Sequence, residues 1–267
     1  MAKKNSSKSG FTLIEVILFL AISSAVLVAI LAGTSRSLAQ QRYNDSVQDL
    51  FSFLQSQYSG VIDTQNIFGV GENGTGTGGR SDYAIYGKLL VIQNSTVKVW
   101  NVIGKAVDSS EISKYSTTDD AIDNLEMKVI GDNDNPVASY VPQWGGTIEQ
   151  TVDNNPTEVT VAIIRSPLSG TVYTYKHNTA LSISSTCSKL NPQDITICDF
   201  IPITPSSTKF SGSFKLASEP INLCVNTEDK AYGDRRRNIR ISNTSSINAI
   251  RLIPLDDLSG SEGNKCQ

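Results

Sequence analysis

Histidine occurs once in the 267-residue chain, as His177, and tryptophan and methionine occur twice each. One histidine cannot build a metalloprotease motif, and no G-x-S-x-G or P-loop lysine pattern stands beside it. Charged residues make up only 18% of the chain, below the roughly 25% of ordinary soluble domains, and the formal net charge is −3. With 39% hydrophobic residues, that composition excludes collagen and disorder. There is a single long apolar run, which excludes a polytopic membrane protein. Proline is missing before Pro136, yet nine prolines and nineteen glycines in all point to turns and short strands rather than a helical bundle. A chain of this length buries a core without metals or staples, so its four cysteines need another reason.

Residues 1–10 are polar and carry Lys3, Lys4 and Lys8, and residues 11–33 are apolar apart from Glu15 and a few small polar residues. At 1.5 Å per residue the run spans about 35 Å as a helix, enough for a hydrocarbon core of about 30 Å. Lysines before the run place the N-terminus in the cytoplasm and the remainder outside the cytoplasmic membrane. An exported region accommodates disulfides among Cys187, Cys198, Cys224 and Cys266, whereas no C-x-x-C spacing suits a zinc ribbon. An ordinary secretory signal is the competing reading, but its apolar core is usually only about 7–15 residues long and gives Glu15 no purpose. A carboxylate inside an apolar span costs at least a few kcal/mol without a partner, which makes Glu15 a functional candidate.

The segment Lys8-Ser9-Gly10-Phe11-Thr12-Leu13-Ile14-Glu15-Val16 resembles the class-III signal of type IV prepilins and type II secretion pseudopilins. The resemblance implies cleavage by a prepilin peptidase between Gly10 and Phe11, N-methylation of Phe11 and retention of the apolar helix. It also implies that Glu15 of one subunit meets the Phe11 amine of a neighbour in a filament. Physically, Gly10 lets the scissile backbone approach a protease closely, and the ion pair would satisfy two charges that an apolar core does not tolerate singly. The leader would take three lysines with it, moving the net charge from −3 to −6.

Tyr43, Val47, Leu50, Leu54, Tyr58 and Val61 follow at intervals of three or four, opposite polar Gln40, Gln41, Asn44, Asp45, Gln48 and Asp49. This predicts an amphipathic continuation of the helix over 34–59, about 70 Å of helix in all from residue 11, with Gly33 as a point where it could bend. From residue 60 to 267 the pattern changes to short β-like runs, with strands expected at 83–92, 96–102, 126–130, 159–164, 171–175, 208–214, 221–225, 239–241 and 249–253. A short helix is expected at 117–124, and a hairpin turn at 165–170. The fold class is α+β, a long N-terminal helix packed across one face of an antiparallel β-sheet head, as the resemblance to pilins also implies.

Other motifs read as loops. Gly69-Val-Gly71-Glu-Asn-Gly74 and Gly74-Thr-Gly76-Thr-Gly78-Gly79 spell G-x-G-x-x-G without the strand and helix of a dinucleotide site. His177 is expected in an exposed loop. Asp119, Asp120 and Asp123, or Asp132 and Asp134, offer oxygen ligands to calcium but complete no EF-hand, so solvated acidic turns are the preferred reading. Of three cysteine pairings, Cys187 with Cys198 and Cys224 with Cys266 is preferred. Arg235, Arg236, Arg237 and Arg240 cluster near Tyr232, a basic patch that could hold DNA phosphates on an acidic body. That stretch is similar to the C-terminal part of GspH/FimT-type minor pilins, some of which bind DNA, although their Gly-Arg-x-Arg motif is not present literally.

These expectations converge on a non-enzymatic minor pilin or pseudopilin without cofactor or metal. Its partners would be the prepilin peptidase, other pilin subunits, the pilus assembly platform, membrane lipid before assembly and, in an alternative reading, DNA. It would begin as a single-pass cytoplasmic membrane protein and end on a cell-surface or extracellular pilus. A membrane-tethered hydrolase is the enzymatic alternative.

Overall fold

A computed structural model describes residues 12–62, 83–106, 113–132, 134–149, 158–190, 195–200, 214–227, 237–243, 248–254 and 266. They form two units, one up to Asn44 and one from Asp45 onward. The first unit is the leading part of helix α1 (Leu13–Ile62). Leucine, isoleucine and alanine favour the helix there and no proline interrupts it; it runs through Gly33 without a break.

In the second unit the rest of α1 is amphipathic. Val47, Leu50, Leu54, Tyr58 and Val61 are buried, while Asp45, Gln48 and Asp49 are exposed. The helix ends at Ile62, one turn later than the sequence predicts, and its last turn carries no basic residue. Cations for its carbonyl end come instead from the sheet. Arg165, closing β6 (Val159–Arg165), donates from Nη1 to the Ile62 carbonyl at 3.3 Å, and Lys88 of β1 (Tyr83–Gln93) donates to Gln57 Oε1 at 2.7 Å.

Among the described residues two antiparallel sheets make the head, where the sequence suggests one. The larger has nine strands. To β1 and β6 it adds β2 (Thr96–Lys105), β3 (Lys128–Ile130), β4 (Ala138–Tyr140), β7 (Val172–His177), β8 (Ile183–Leu190), β9 (Ile195–Phe200) and β10 (Lys215–Leu216). They run in the order β10-β7-β6-β1-β2-β3-β9-β8, with β4 also on β2. Asn94 and Ser95, both at positive φ, make the tight turn between β1 and β2 that suits the twist of a hairpin. Strand β6 is buried on both faces from Val159 to Ile164, which explains its unbroken apolar sequence. Gly87 lies where β1 shifts register, and a Cβ there would sit 2.0 Å from the Ile163 carbonyl oxygen. Only glycine fits.

One face of this sheet presents Leu89, Val91, Trp100, Val102, Ala162, Ile164 and Tyr175 to a core completed by Ile183, Cys198 and Phe214. Ile122 of the short helix α2 (Thr118–Asn124) closes that core. Thr117 caps α2 by accepting from the Asp120 amide.

The smaller sheet orders β13 (Ile250–Ile253), β12 (Arg237–Ile241), β11 (Ile221–Thr227) and β5 (Gly146–Glu149). Its register sorts Ile148, Ile221, Leu223, Val225, Ile239, Ile241 and Ile250 onto one face and Asn222, Asn226, Asn238, Arg240 and Arg251 onto the other. The sheets are stitched at two places: Ser95 Oγ accepts from the Ile148 amide at 3.0 Å, and Thr174 Oγ1 donates to the Ser242 carbonyl at 3.1 Å.

The expected strand at 126–130 begins only at Lys128, because Glu126 takes a positive φ after α2 and pairs with Lys105. Strands β4, β5, β8 and β9 are not anticipated by the sequence, and the expected strand at 208–214 lies outside the described residues apart from Phe214, which precedes β10.

Candidate functional site

The leading part of α1 is the chemically distinctive region. Gly10 and Phe11 lie outside the described residues, and the structure opens at Thr12, whose carbonyl accepts from the Glu15 and Val16 amides at 3.1 and 3.2 Å. Glu15 therefore stands in the first turn, exposed, where the positive end of the helix favours an anion. Behind it, Leu13, Ile14, Val16, Ile17, Leu18, Phe19 and Leu20 are all exposed, and so are the large side chains as far as Leu31. Ile22, Val26, Leu27, Ile30 and Leu31 line a shallow apolar groove on this surface. The helix is long and apolar enough to cross a membrane, and none of its apolar window is buried. So much apolar surface needs a lipid or protein environment.

Of the arginine cluster, the structure describes Arg237 and Arg240. Arg235 and Arg236 lie outside the described residues. Arg237 and Arg240 are both on β12 but three residues apart, so they face opposite sides of the sheet. Arg240 is only 6% exposed, which corrects its placement in a DNA-contacting surface. Arg251, directly across from Arg240 on β13, is exposed and donates to the Asn248 carbonyl at 3.2 Å.

His177 is the last residue of β7 and half-buried, correcting its assignment to an exposed loop. Its ring lies 5.7 Å from that of Phe214, and Nδ1 is 3.1 Å from the Thr179 hydroxyl. Two of the acidic groups make hydrogen bonds that hold local structure. Asp119 accepts from the Tyr175 hydroxyl at 2.9 Å, and burial pushes that buried phenol far above its ordinary range. Asp132 is held below the usual carboxylate range by the Asp134 amide and then by the Asn135 side chain. Among the described residues no group of three His, Cys, Asp or Glu is placed to hold a metal.

Cys187 and Cys198 are joined across the β8–β9 pair, and Cys224 of β11 is joined to Cys266. The first disulfide fastens a serine-rich hairpin and the second returns a distant segment to the smaller sheet. The hairpin itself was the part hidden from sequence: Ser184, Ser185 and Ser188 break any clear β pattern, and the eleven-residue cysteine spacing was the one signal of it.

No curated protein and no solved structure matches the chain. Residues 5–31 match the family described as the prokaryotic N-terminal methylation motif.

Proposed function

From a chain whose N-terminus carries the type IV pilin methylation motif, we propose a non-enzymatic minor pilin, processed between Gly10 and Phe11 and built into a filament through α1. A single observation carries this reading: the exposed apolar leading part of α1 with one carboxylate, Glu15, in its first turn and within the matched methylation motif. Cleavage gives Phe11 a positive amine. In the cytoplasmic membrane the helix is covered by lipid; on assembly, driven by the platform, it is covered by neighbouring helices, and Glu15 pairs with the Phe11 amine of another subunit. An unpaired charge in that apolar setting costs about 3–5 kcal/mol, so the pair also fixes axial register. The head, stapled by two disulfides, suits the oxidising side of the membrane and the cell surface. Its size favours a role in starting or capping a filament over forming the repeating shaft.

The DNA alternative draws no support from Arg240, which is buried. The deciding experiment is mass spectrometry of the N-terminus of native protein, together with Glu15→Val. A methylated Phe11 in both proteins, with incorporation into filaments lost only in the variant, is expected. An intact Met1 in native material overturns the proposal.

A further inference from the structure

Val137, Val141 and Trp144 of the head are 51%, 61% and 59% exposed. The Val137 amide donates to the Val99 carbonyl at 2.8 Å, so the pairing of β4 with β2 extends to it. Val137, Ser139 and Val141 are exposed at intervals of two, with Ala138 and Tyr140 half-buried between them. An outward strand face ordinarily takes polar residues. Here two of its three places are valine.

Trp144 follows in a tight turn. The Gly146 amide donates to the Gln143 carbonyl at 3.1 Å, and the central residues, Trp144 and Gly145, have φ of +59° and +70°. This is the pattern of a type I′ turn, whose first central place asparagine, aspartate or glycine normally fills. A tryptophan there carries backbone strain without being buried in return, and strain of this kind is kept where a surface binds. The turn is fixed from behind. Tyr140 Oη donates to the Ser46 carbonyl at 3.0 Å, its ring lies 5.3 Å from that of Phe53, and a Cβ on Gly146 would lie 3.2 Å from Ser46 Oγ.

The occupant follows from area and from the anchor. The three side chains expose on the order of 300 Å², against about 1,000 Å² for a specific protein interface. A lipid surface needs no such area when the head is tethered to it, because the tether keeps the effective concentration high. Tryptophan, with its apolar body and polar N–H, favours the headgroup layer.

We propose that, while α1 holds the subunit in the cytoplasmic membrane, Trp144, Val141 and Val137 rest in the headgroup layer of the bilayer, giving the head a second attachment to lipid. The inference rests on the membrane-anchored reading of α1. Extraction into a filament gives the contact up.

The chain has two tryptophans, and Trp100 is 1% exposed, so a quencher placed in lipid reads Trp144. Full-length protein is reconstituted into phosphatidylcholine vesicles, insertion is checked by flotation, and emission is compared in plain lipid and in lipid brominated high on the acyl chain. Brominated lipid is expected to remove roughly a third or more of the emission, and about 0.5 M salt to leave that loss in place, because the contact is apolar. Trp144→Ser should abolish the quenching. Val141→Asp keeps the fluorophore and changes an exposed position; it should cut the quenching about twofold or more and open Trp144 to aqueous iodide. Inserted protein whose Trp144 answers to iodide and not to brominated lipid overturns the proposal and leaves the pilin reading standing. Quenching that survives Trp144→Ser or disappears in salt overturns it equally. Protection from iodide that follows protein density in the vesicle marks a second copy as the cover and has the same result. Protein that does not float with the vesicles sinks the anchor and the proposal together.

Discussion

The two parts of α1 share one secondary structure and differ in what covers them. From Leu13 to Leu38 the large apolar side chains are exposed; further on, Tyr43, Val47, Leu50, Leu54, Tyr58 and Val61 are buried at intervals of three or four. The second part belongs to the folding of the head, and its hydrophobic gain is realised inside one chain, at roughly 2 kcal/mol for each buried leucine. Among the described residues the first part buries none of its apolar window. That much exposed apolar surface needs a lipid or protein environment to cover it. The same residue types do different work according to whether the chain closes over them.

The comparison makes substitutions separable. The largest effect is expected from Leu54→Ala in the buried stripe, which should cost the head about 2–5 kcal/mol in denaturant unfolding while membrane insertion continues. An equally stable head would break the division of labour. Glu15→Val should cost about 3 kcal/mol or more per subunit contact and abolish filament incorporation, with the melting temperature of the head unchanged. Arg165→Ala removes the cation at the end of α1, and a loss of about 1 kcal/mol from the head is expected, without effect on insertion. Leu27→Ala, chemically the same change as at Leu54, should alter head stability by less than about 0.5 kcal/mol, because Leu27 is exposed.

The smallest expected effect is a pH dependence. Burial lowers the Lys88 pKa from its ordinary 10.5, so the folded head holds this proton less tightly than the unfolded chain does. Stability from this group is then fully present above 10.5 and is lost as pH falls through the lowered native value. Between those limits unfolding free energy should rise with pH, and Lys88→Met should flatten the slope. Tyr58 and Tyr140, whose pKa values burial raises, act only above pH 10 and in the opposite direction.

Much of this contrast is legible in the amino-acid sequence because helical periodicity is a local signal. The spacing of Tyr43 to Val61 marks the buried stripe, and the unbroken apolar run over 11–33 marks the exposed segment. Strands β1, β2, β6 and β7 announce themselves through runs of β-branched and aromatic residues between turn formers. The head's division into two sheets is not written locally, since pairing of β5 with β11 joins residues far apart in the chain. Strand β4 is only Ala138–Tyr140, too short to show alternation, and β5 begins with glycine. Adjacency in sequence likewise does not show which arginines share a face: the pleat of β12 sends Arg237 and Arg240 to opposite sides. Cysteine pairing is readable as a preference because the shortest loop is the natural one to close, but only the β8–β9 register brings Cys187 and Cys198 opposite each other.

The Arg165–Ile62 hydrogen bond ties the last carbonyl of α1 to the end of β6, the strand buried on both faces. Traction on the helix is therefore delivered to the middle of the head, where neighbours on either flank share the load, and not to a margin from which a strand could be peeled away.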